Sequence, residues 1–401
     1  MSDEVTSPGR SVFADLEDGA LRRELGFAAP PPPAPPPPAV FSERLRFSGR
    51  GSEYFRIWVV HLLLMLLTLG AYSAWAKVRK ARWFAQHTEL MGRRFDFHGD
   101  PWRVLGGRVL AIALLVAWTQ SFRISIEFGL TMLGVLCVLG PWLFAGAQRF
   151  RLANTSWCGL RFAFEASWRP IYVVCVPLVL LWTMGSVLAG VDAGGRWQMA
   201  AGAATLLGLP WAHARLKQLQ HEHARFGTQR FAFEPAKLAF YGLYAKALAL
   251  AFVAGMVVAV LLGSGSASVP RGDAAAVPQW LPMVTGLLLA LLVWLCAWPY
   301  FAARAQQLVW SHTRWGEVRF RGEMKGWPLW KLTVGQTLLV LVTAGLYWPF
   351  AAVNLARYRV QSLVVEADRP IDEIVALAPP RGEQQAAGDA AADFFGLDLG
   401  W

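Results

Sequence analysis

The chain of 401 residues is 55% hydrophobic and only 16% charged, with a net charge of +11. Soluble domains carry roughly 25% charged residues, so a water-soluble fold is excluded as an account of the whole chain. The basic excess lies between apolar runs, where it reads as membrane topology and not as a nucleic-acid surface.

The chain opens MSDEVTSPGR, with acidic residues and no early apolar core, which is not the pattern of a signal peptide. Residues 1–43 end close to a PPPAPPPP run and read as a disordered Pro-rich tail. A tether is the simpler role; a ligand for a protein partner is the other. Apolar runs follow at Val104–Phe122, Phe128–Ala147, Ile171–Gly190, Leu238–Gly263 and Trp280–Ala303. Each approaches or exceeds the roughly 18–20 residues that cross a bilayer as a helix. Strand alternation of the outer-membrane barrel kind is absent. With a weaker run at 197–213, the central spans form three hairpins: 104–122 with 128–147, 170–190 with 197–213, and 238–263 with 280–303. The short connections hold Arg123, Arg196 and Arg271, whereas the segments on the other side hold 22 Lys and Arg residues. That asymmetry puts the basic side in the cytoplasm. Twenty Trp residues, many near span ends, fit an interfacial aromatic belt. Cys137, Cys158, Cys175 and Cys296 are widely spaced and read as free thiols.

Two further segments, 57–76 and 331–351, repeat one another. Residues 61–83 laid without gaps on 336–358 agree at 10 of 23 positions, including Thr68/Thr343, Gly70/Gly345, Tyr72/Tyr347 and Arg82/Arg357, with His61 facing Gln336. A second pattern recurs along the whole chain: Pro141-Trp142, Pro210-Trp211, Pro299-Tyr300 and Pro349-Phe350, with Ala74-Trp75 in the first copy. A basic stretch follows, then His87, Asn154, His223 or His312, then Gly92, Gly159, Gly227 or Gly316, then a short aromatic alternation such as Phe162-Ala163-Phe164. Alternation around a glycine turn predicts a small β-hairpin. Half a hairpin, RLRFSG at 44–49, precedes the first span, and SLVVE at 362–366 follows the last; pairing of these halves in a shared sheet is expected.

The repeated segments allow two topologies. Either each crosses once, or each breaks at Gly70 or Gly345 and returns to the side it came from. Half-helices of about ten residues would reach only ~15 Å, half of the hydrocarbon core. The expected fold is an all-α polytopic membrane protein. It has about six full spans in three hairpins, two repeat-related segments, and small cytoplasmic β-hairpins. A transmembrane domain over 44–366 is followed by an acidic tail, 367–401.

The stretch from Phe47 to Gly99 carries a family likeness. F-S-G-R-G-S-E-Y-F, L-T-L-G-A-Y-S-A-W-A, the following basic and aromatic residues, and the G-x-x-F-x-F hairpin resemble the YjgN-like family of bacterial inner-membrane proteins, a domain of unknown function (898). The likeness covers about residues 44 to 400 and includes the ending ADFFGLDLGW. It departs at His61, where the family often has Asn, and at Ala74, where it often has Pro. The resemblance implies a multi-pass inner-membrane location and no particular activity.

His61, Thr68, Tyr72, Gln336, Thr343 and Tyr347 form a candidate intramembrane polar pathway, because polar groups in hydrocarbon mark pathways or interhelical contacts. Interhelical packing is the simpler account. Lys77, Arg79, Lys80, Arg82 and Arg357 are candidate anchors for lipid headgroups. His221-Glu222-His223 invites a metal reading, but the two rings face different directions on a helix, and a capping role shared with His87 and His312 explains His223. Arg108 and Lys246 are expected to snorkel, and Arg123 to pair with Glu127. No Walker loop, GxSxG, HExxH or dinucleotide fingerprint is present. An enzyme, a cofactor and a metal are therefore not expected. Two function classes fit: a transporter or channel for a small molecule, lipid or ion, and a membrane scaffold or envelope-associated interaction protein. Membrane lipids are the expected partners, with no nucleic acid. A homo-oligomer, or a protein partner at the hairpins or Pro-rich tail, is compatible.

Overall fold

The computed structural model describes residues 41–191, 197–266 and 280–369. The tail segments 1–40 and 370–401, with Arg196 and Arg271, lie outside them. Four segments fold as hairpins on two-residue turns. β3 (Thr88–Leu90) and β4 (Arg93–Phe97) join through Met91 and Gly92, and β5 (Thr155–Trp157) and β6 (Leu160–Phe164) through Cys158 and Gly159. All four turn residues have φ between 52° and 77°, the backbone whose twist matches paired strands. β7 (Ala224–Phe226) with β8 (Gln229–Phe233), and β9 (Thr313–Trp315) with β10 (Val318–Gly322), turn on Gly227 and Gly316.

The fifth hairpin is split between distant parts of the chain. β11 (Leu363–Ala367) pairs on one side with β10 and on the other with β1 (Phe41–Arg44), Arg44 lying opposite Val364. After Leu45 alone, β2 (Arg46–Phe47) pairs with β3. The strand order β1-β11-β10-β9-β8-β7-β6-β5-β4-β3-β2 therefore returns to its starting point, and the sheet closes as a ring. Phe41–Glu43, assigned to the tail from sequence, are part of that closure.

Alternation fills the ring. Leu90, Trp157, Phe226 and Trp315, each the last residue of its strand, form one apolar cluster with Val318, Val365 and Ala367. Phe95, Phe162, Phe231 and Phe320 pack on it from matching places in β4, β6, β8 and β10. Neighbouring rings lie 4.5–5.7 Å apart in the pairs Phe162–Phe226, Phe226–Trp315 and Phe95–Trp157. Burying each such side chain contributes about 1.5–3 kcal/mol. The ring is a packed plug and not a pore, and the two end strands of the order, β1 and β2, are joined directly through Leu45.

Helices rise from the ring in five pairs: α1 (Gly51–Leu67) and α2 (Ser73–Gln86), α3 (Pro101–Ile124) and α4 (Ile126–Asn154), α5 (Trp168–Val191) and α6 (Gln198–Glu222), α7 (Lys237–Ser266) and α8 (Trp280–Ser311), and α9 (Gly326–Val342) and α10 (Trp348–Gln361). The first helix of each pair leaves the ring and the second comes back. Each helix packs on its neighbours in sequence, and α10 packs on α1, so the helical layer closes as well. At the base of every pair one backbone bond repeats: Ser48, His98, Glu165, Glu234 and Glu323 donate to the carbonyls of His87, Asn154, His223, His312 and Ser362 at 2.7–2.9 Å. The imidazoles of His87, His223 and His312 and the amide of Asn154 each bond the carbonyl four residues back, closing the returning helix. Arg82, Arg149 and Arg357 latch one pair to the next, donating to the carbonyls of Phe97, Ala166 and Gly49.

The central helices are long. At 1.5 Å per residue, 24 to 32 residues span about 36–48 Å, more than the roughly 30 Å of hydrocarbon. Five of them have membrane-spanning length and composition: Pro101–Ile124, Ile126–Asn154, Trp168–Ala189, Lys237–Val257 and Val284–Ser311. α6, which contains the expected span 197–213, is long enough but less apolar, because Ala and Gly dilute it and His213, Arg215 and Lys217 follow. The expected Arg123–Glu127 pair does not form: Ser125 is extended (φ −164°, ψ 159°) between α3 and α4, which destroys the helical spacing. Arg108 does not reach for the surface; its guanidinium donates to the Ser73 hydroxyl at 2.6 Å.

Candidate functional site

The two repeated segments do not run through as helices. α1 stops at Leu67 and α2 starts at Ser73; α9 stops at Val342 and α10 starts at Trp348. The reversal sits on Thr68-Leu69-Gly70 and Thr343-Ala344-Gly345, with Leu69 and Ala344 at φ 48° and 50° and the glycines at φ 91° and 92°. The chain then returns to the strand ring. Because α1 begins at Gly51 and α9 at Gly326, each rising arm has 17 residues, about 25 Å and not ~15 Å.

Each tip bonds all of its own amides. The Gly70 amide reaches Met65 O at 2.8 Å, and Thr68, Leu69, Ala71 and Ser73 donate to Leu64, Leu66, Thr68 and Gly70 carbonyls. The Tyr72 amide donates to the Thr68 hydroxyl at 3.0 Å, and that hydroxyl donates to Leu64 O. Thr343, Tyr347 and their neighbours repeat the set. Around these satisfied amides the tip side chains are apolar and bare, with Leu69 97% exposed and Leu66, Leu67, Leu341, Val342 and Leu346 exposed.

The candidate pathway residues divide between the two hairpins, with His61, Thr68 and Tyr72 in the first and Gln336, Thr343 and Tyr347 in the second. Thr68 and Thr343 are spent on tip closure. Tyr72 stacks on Trp75, and Tyr347 on Phe350. His61 is buried, its ring 5.8 Å from that of Tyr72, with Nε2 unpartnered; Oε1 of half-buried Gln336 is also unpartnered. Among the candidate anchors, Arg82 and Arg357 are the inter-pair latches, Lys80 lies 5.8 Å over the Phe84 ring, and Arg79 is exposed.

Residues that sequence reading left apart come together around a cavity of about 140 Å³ between α4, α6, α8 and α10. Its floor includes Phe162 and Phe231, part of the plug. Its polar lining is Arg151, Lys217, Arg359, Gln220, Gln306, His213 and His221; among the described residues no carboxylate lines it. Counted back from the residue that closes each returning helix, these fall at places three (Arg151, Gln220, Arg359), six (Lys217, Gln306) and ten (His213). That spacing puts them on one helical face. Lys77 holds place ten of α2 and Gln148 place six of α4. The metal reading of His221 and His223 gives way to other partners: His221 Nδ1 lies 3.1 Å from the Thr313 hydroxyl, and His223 caps its helix.

Outside the helical layer, side chains join neighbouring pairs. Glu165 accepts from Arg225 at 3.0 and 3.2 Å and from Arg230 at 3.1 Å. Burial pushes this carboxyl up, but the hydrogen bonds and charges of the two arginines outweigh it and hold it below the usual carboxylate range. Glu234 pairs with Arg314 at 2.6 Å, and Glu323 with Arg44 at 2.6 Å.

Several apolar helices of membrane length over a basic, strand-bearing face define a polytopic membrane protein. The chain belongs to the family of bacterial proteins of unknown function DUF898, matched over residues 42–394. It is similar to the inner membrane protein YjgN of Salmonella typhimurium, 28% identical over 152 residues, covering 36% of this chain and 37% of that protein. It is also similar to YjgN of Escherichia coli, 30% identical over 149 residues, covering 35% and 36%. The chain thus matches little more than a third of the length of these relatives. No solved structure matches it. It is an inner-membrane protein.

Proposed function

We propose that the protein is a transporter that binds an anionic ligand in the cationic cavity. The carrying observation is the lining: Arg151, Lys217, Gln220, Gln306 and Arg359 converge from α4, α6, α8 and α10 on one cavity. The packed floor at Phe162 and Phe231 argues for a carrier that must move, and against an open channel.

In this reading the strand ring is cytoplasmic, which the 22-to-3 distribution of basic residues supports. The central six helices cross the membrane. The α1–α2 and α9–α10 hairpins dip into it and return, their bare apolar tips facing lipid. The five helix pairs descend from one ancestral unit, of which the first and last copies are shortened.

The test is anion binding and flux in proteoliposomes, with chloride, inorganic phosphate and a dicarboxylate as probes. Lys217→Gln combined with Arg151→Gln is expected to weaken binding of the preferred anion at least tenfold while the protein stays folded. Absence of saturable binding or flux for every anion, lipid phosphates included, would refute the reading.

A further inference from the structure

Three of the returning helices carry a proline at one level. Pro141 in α4, Pro210 in α6 and Pro299 in α8 each stand 13 residues before the residue that closes the helix, about 20 Å above the base. A proline has no amide for the carbonyl four residues back, and its ring crowds that turn. Each is therefore a joint at which the helix can bend.

Two of the joints are held. At the α4 joint the Tyr172 hydroxyl, from α5, donates to the Val138 carbonyl at 3.0 Å. At the α6 joint the Tyr241 hydroxyl, from α7, donates to the Leu207 carbonyl at 3.1 Å. Both carbonyls lie three residues before the proline, next to the one that the proline deprives of its amide. α5 also crowds both joints: a Cβ added at Gly140 would stand 3.2 Å from Val179, and one at Gly208 would stand 2.8 Å from Leu181.

The third joint differs. Tyr172 and Tyr241 stand seven residues after Glu165 and Glu234 at the base of their pairs; seven after Glu323, on α9, stands Trp330. It has no hydroxyl, and its ring stacks on Trp327 at 4.9 Å. Burial changes at the proline: Pro299, Ala303 and Val309 are buried, whereas no residue from Val284 to Trp298 is. Of the membrane-spanning stretch of α8 11% is buried, against 39% in α4. Beside it α9 ends after 17 residues, about 25 Å, where α8 runs on for 32.

We propose that α8 bends at Pro299, its upper half swinging while α4 and α6 stay clasped, and that the swing uncovers the cavity. Trp298 lines the cavity from above the joint, and the other lining residues of α8, from Phe301 to Trp310, lie below it. The motion carries Trp298 away and leaves the floor in place. It concerns the moving part alone and holds whatever the cavity carries.

The experiment measures distances by electron paramagnetic resonance in the full chain, cleared of its native thiols and held in lipid nanodiscs. Spin labels go on Leu288→Cys above the α8 joint or on Leu130→Cys above the α4 joint, each paired with a label on Arg161→Cys of β6, all three being exposed positions. The Leu288 pair is expected to give a distribution about twofold wider than the Leu130 pair, as an unclasped proline joint allows. Pro299→Ala should narrow it to the α4 width. So should Trp330→Tyr, which supplies the missing hydroxyl and gives the reading should Pro299→Ala not fold. Tyr172→Phe should widen the Leu130 distribution. Equally narrow distributions for both pairs in the unsubstituted protein would overturn the inference. A wide Leu288 distribution that neither substitution narrows would place the motion elsewhere and overturn it too. A Leu130 distribution that Tyr172→Phe leaves narrow would mean that the hydroxyl is not what holds the joint, with the same result.

Discussion

Replacing Thr68 by valine keeps the shape of the side chain and removes one oxygen. That oxygen accepts from the Tyr72 amide at 3.0 Å. The Leu64 carbonyl that it bonds keeps a second donor, the Thr68 amide, also at 3.0 Å. The substitution therefore orphans one backbone N–H and no carbonyl. If the tip lies in lipid, nothing replaces the lost partner, and an unsatisfied amide there costs several kcal/mol. If the tip lies in water, a solvent molecule takes over and the change is an ordinary lost helix cap, about 1 kcal/mol. At tenfold per 1.4 kcal/mol, a loss of about 3 kcal/mol shifts the unfolding equilibrium by roughly 150-fold. The assay is reversible unfolding in lipid nanodiscs of wild type, Thr68→Val and the hydroxyl-retaining Thr68→Ser, with Thr343→Val repeating the measurement at the other tip. A loss of 1 kcal/mol or less in both valine variants would refute the lipid-immersed hairpin.

Cysteine introduced at Leu69, in a protein cleared of its native thiols, should resist a membrane-impermeant maleimide and yield to a lipid-soluble one; equal labelling would place the tip in water. A reporter joined after Arg369 should be active only as a cytoplasmic fusion, and periplasmic activity would invert the topology. Phe226→Ala in the plug should lower stability by about 3–5 kcal/mol, measured by the same unfolding assay, whereas a change under 1 kcal/mol would deny the ring a packed interior. The depressed Glu165 carboxyl contributes stability that is fully present above the unfolded value of about 4.3 and lost as pH falls through the lower folded value. Glu165→Gln should therefore flatten the acid limb of the stability profile below about pH 4.3, and an unchanged limb would remove the carboxylate from that role.

Much of this architecture was legible from local chemistry. Length and apolarity mark the central helices, and the Thr-x-Gly pairs mark the reversals because glycine readily takes the φ of 91° and 92° found at Gly70 and Gly345. Glycine turns with alternating aromatics mark the hairpins. Closure of the ring was harder to read, since it depends on β1, four exposed residues without alternation lying next to a proline run. The cavity was hidden for a different reason. Its cations stand on three helices in stretches that read as ordinary basic helix ends, and sequence spacing within one helix says nothing about convergence across several. Aligning the five returning helices on the residue that closes each would have brought out the shared places three, six and ten. His61 and Gln336 match each other in sequence, and in the fold each keeps a buried polar atom without a partner.

The closing strand pair has a consequence for how the molecule is made. β1 lies at Phe41–Arg44 and its partner β11 at Leu363–Ala367, so the first strand emerging from the ribosome waits for the last. Until then the growing sheet is an open arc with one unsatisfied edge at β1 and another on its newest strand. Such edges pair promiscuously with other chains. Synthesis that stalls before residue 363 leaves an arc that no rearrangement of its own strands can seal. The sheet therefore closes only once β11 has been made, and every earlier stage of synthesis carries a bare edge.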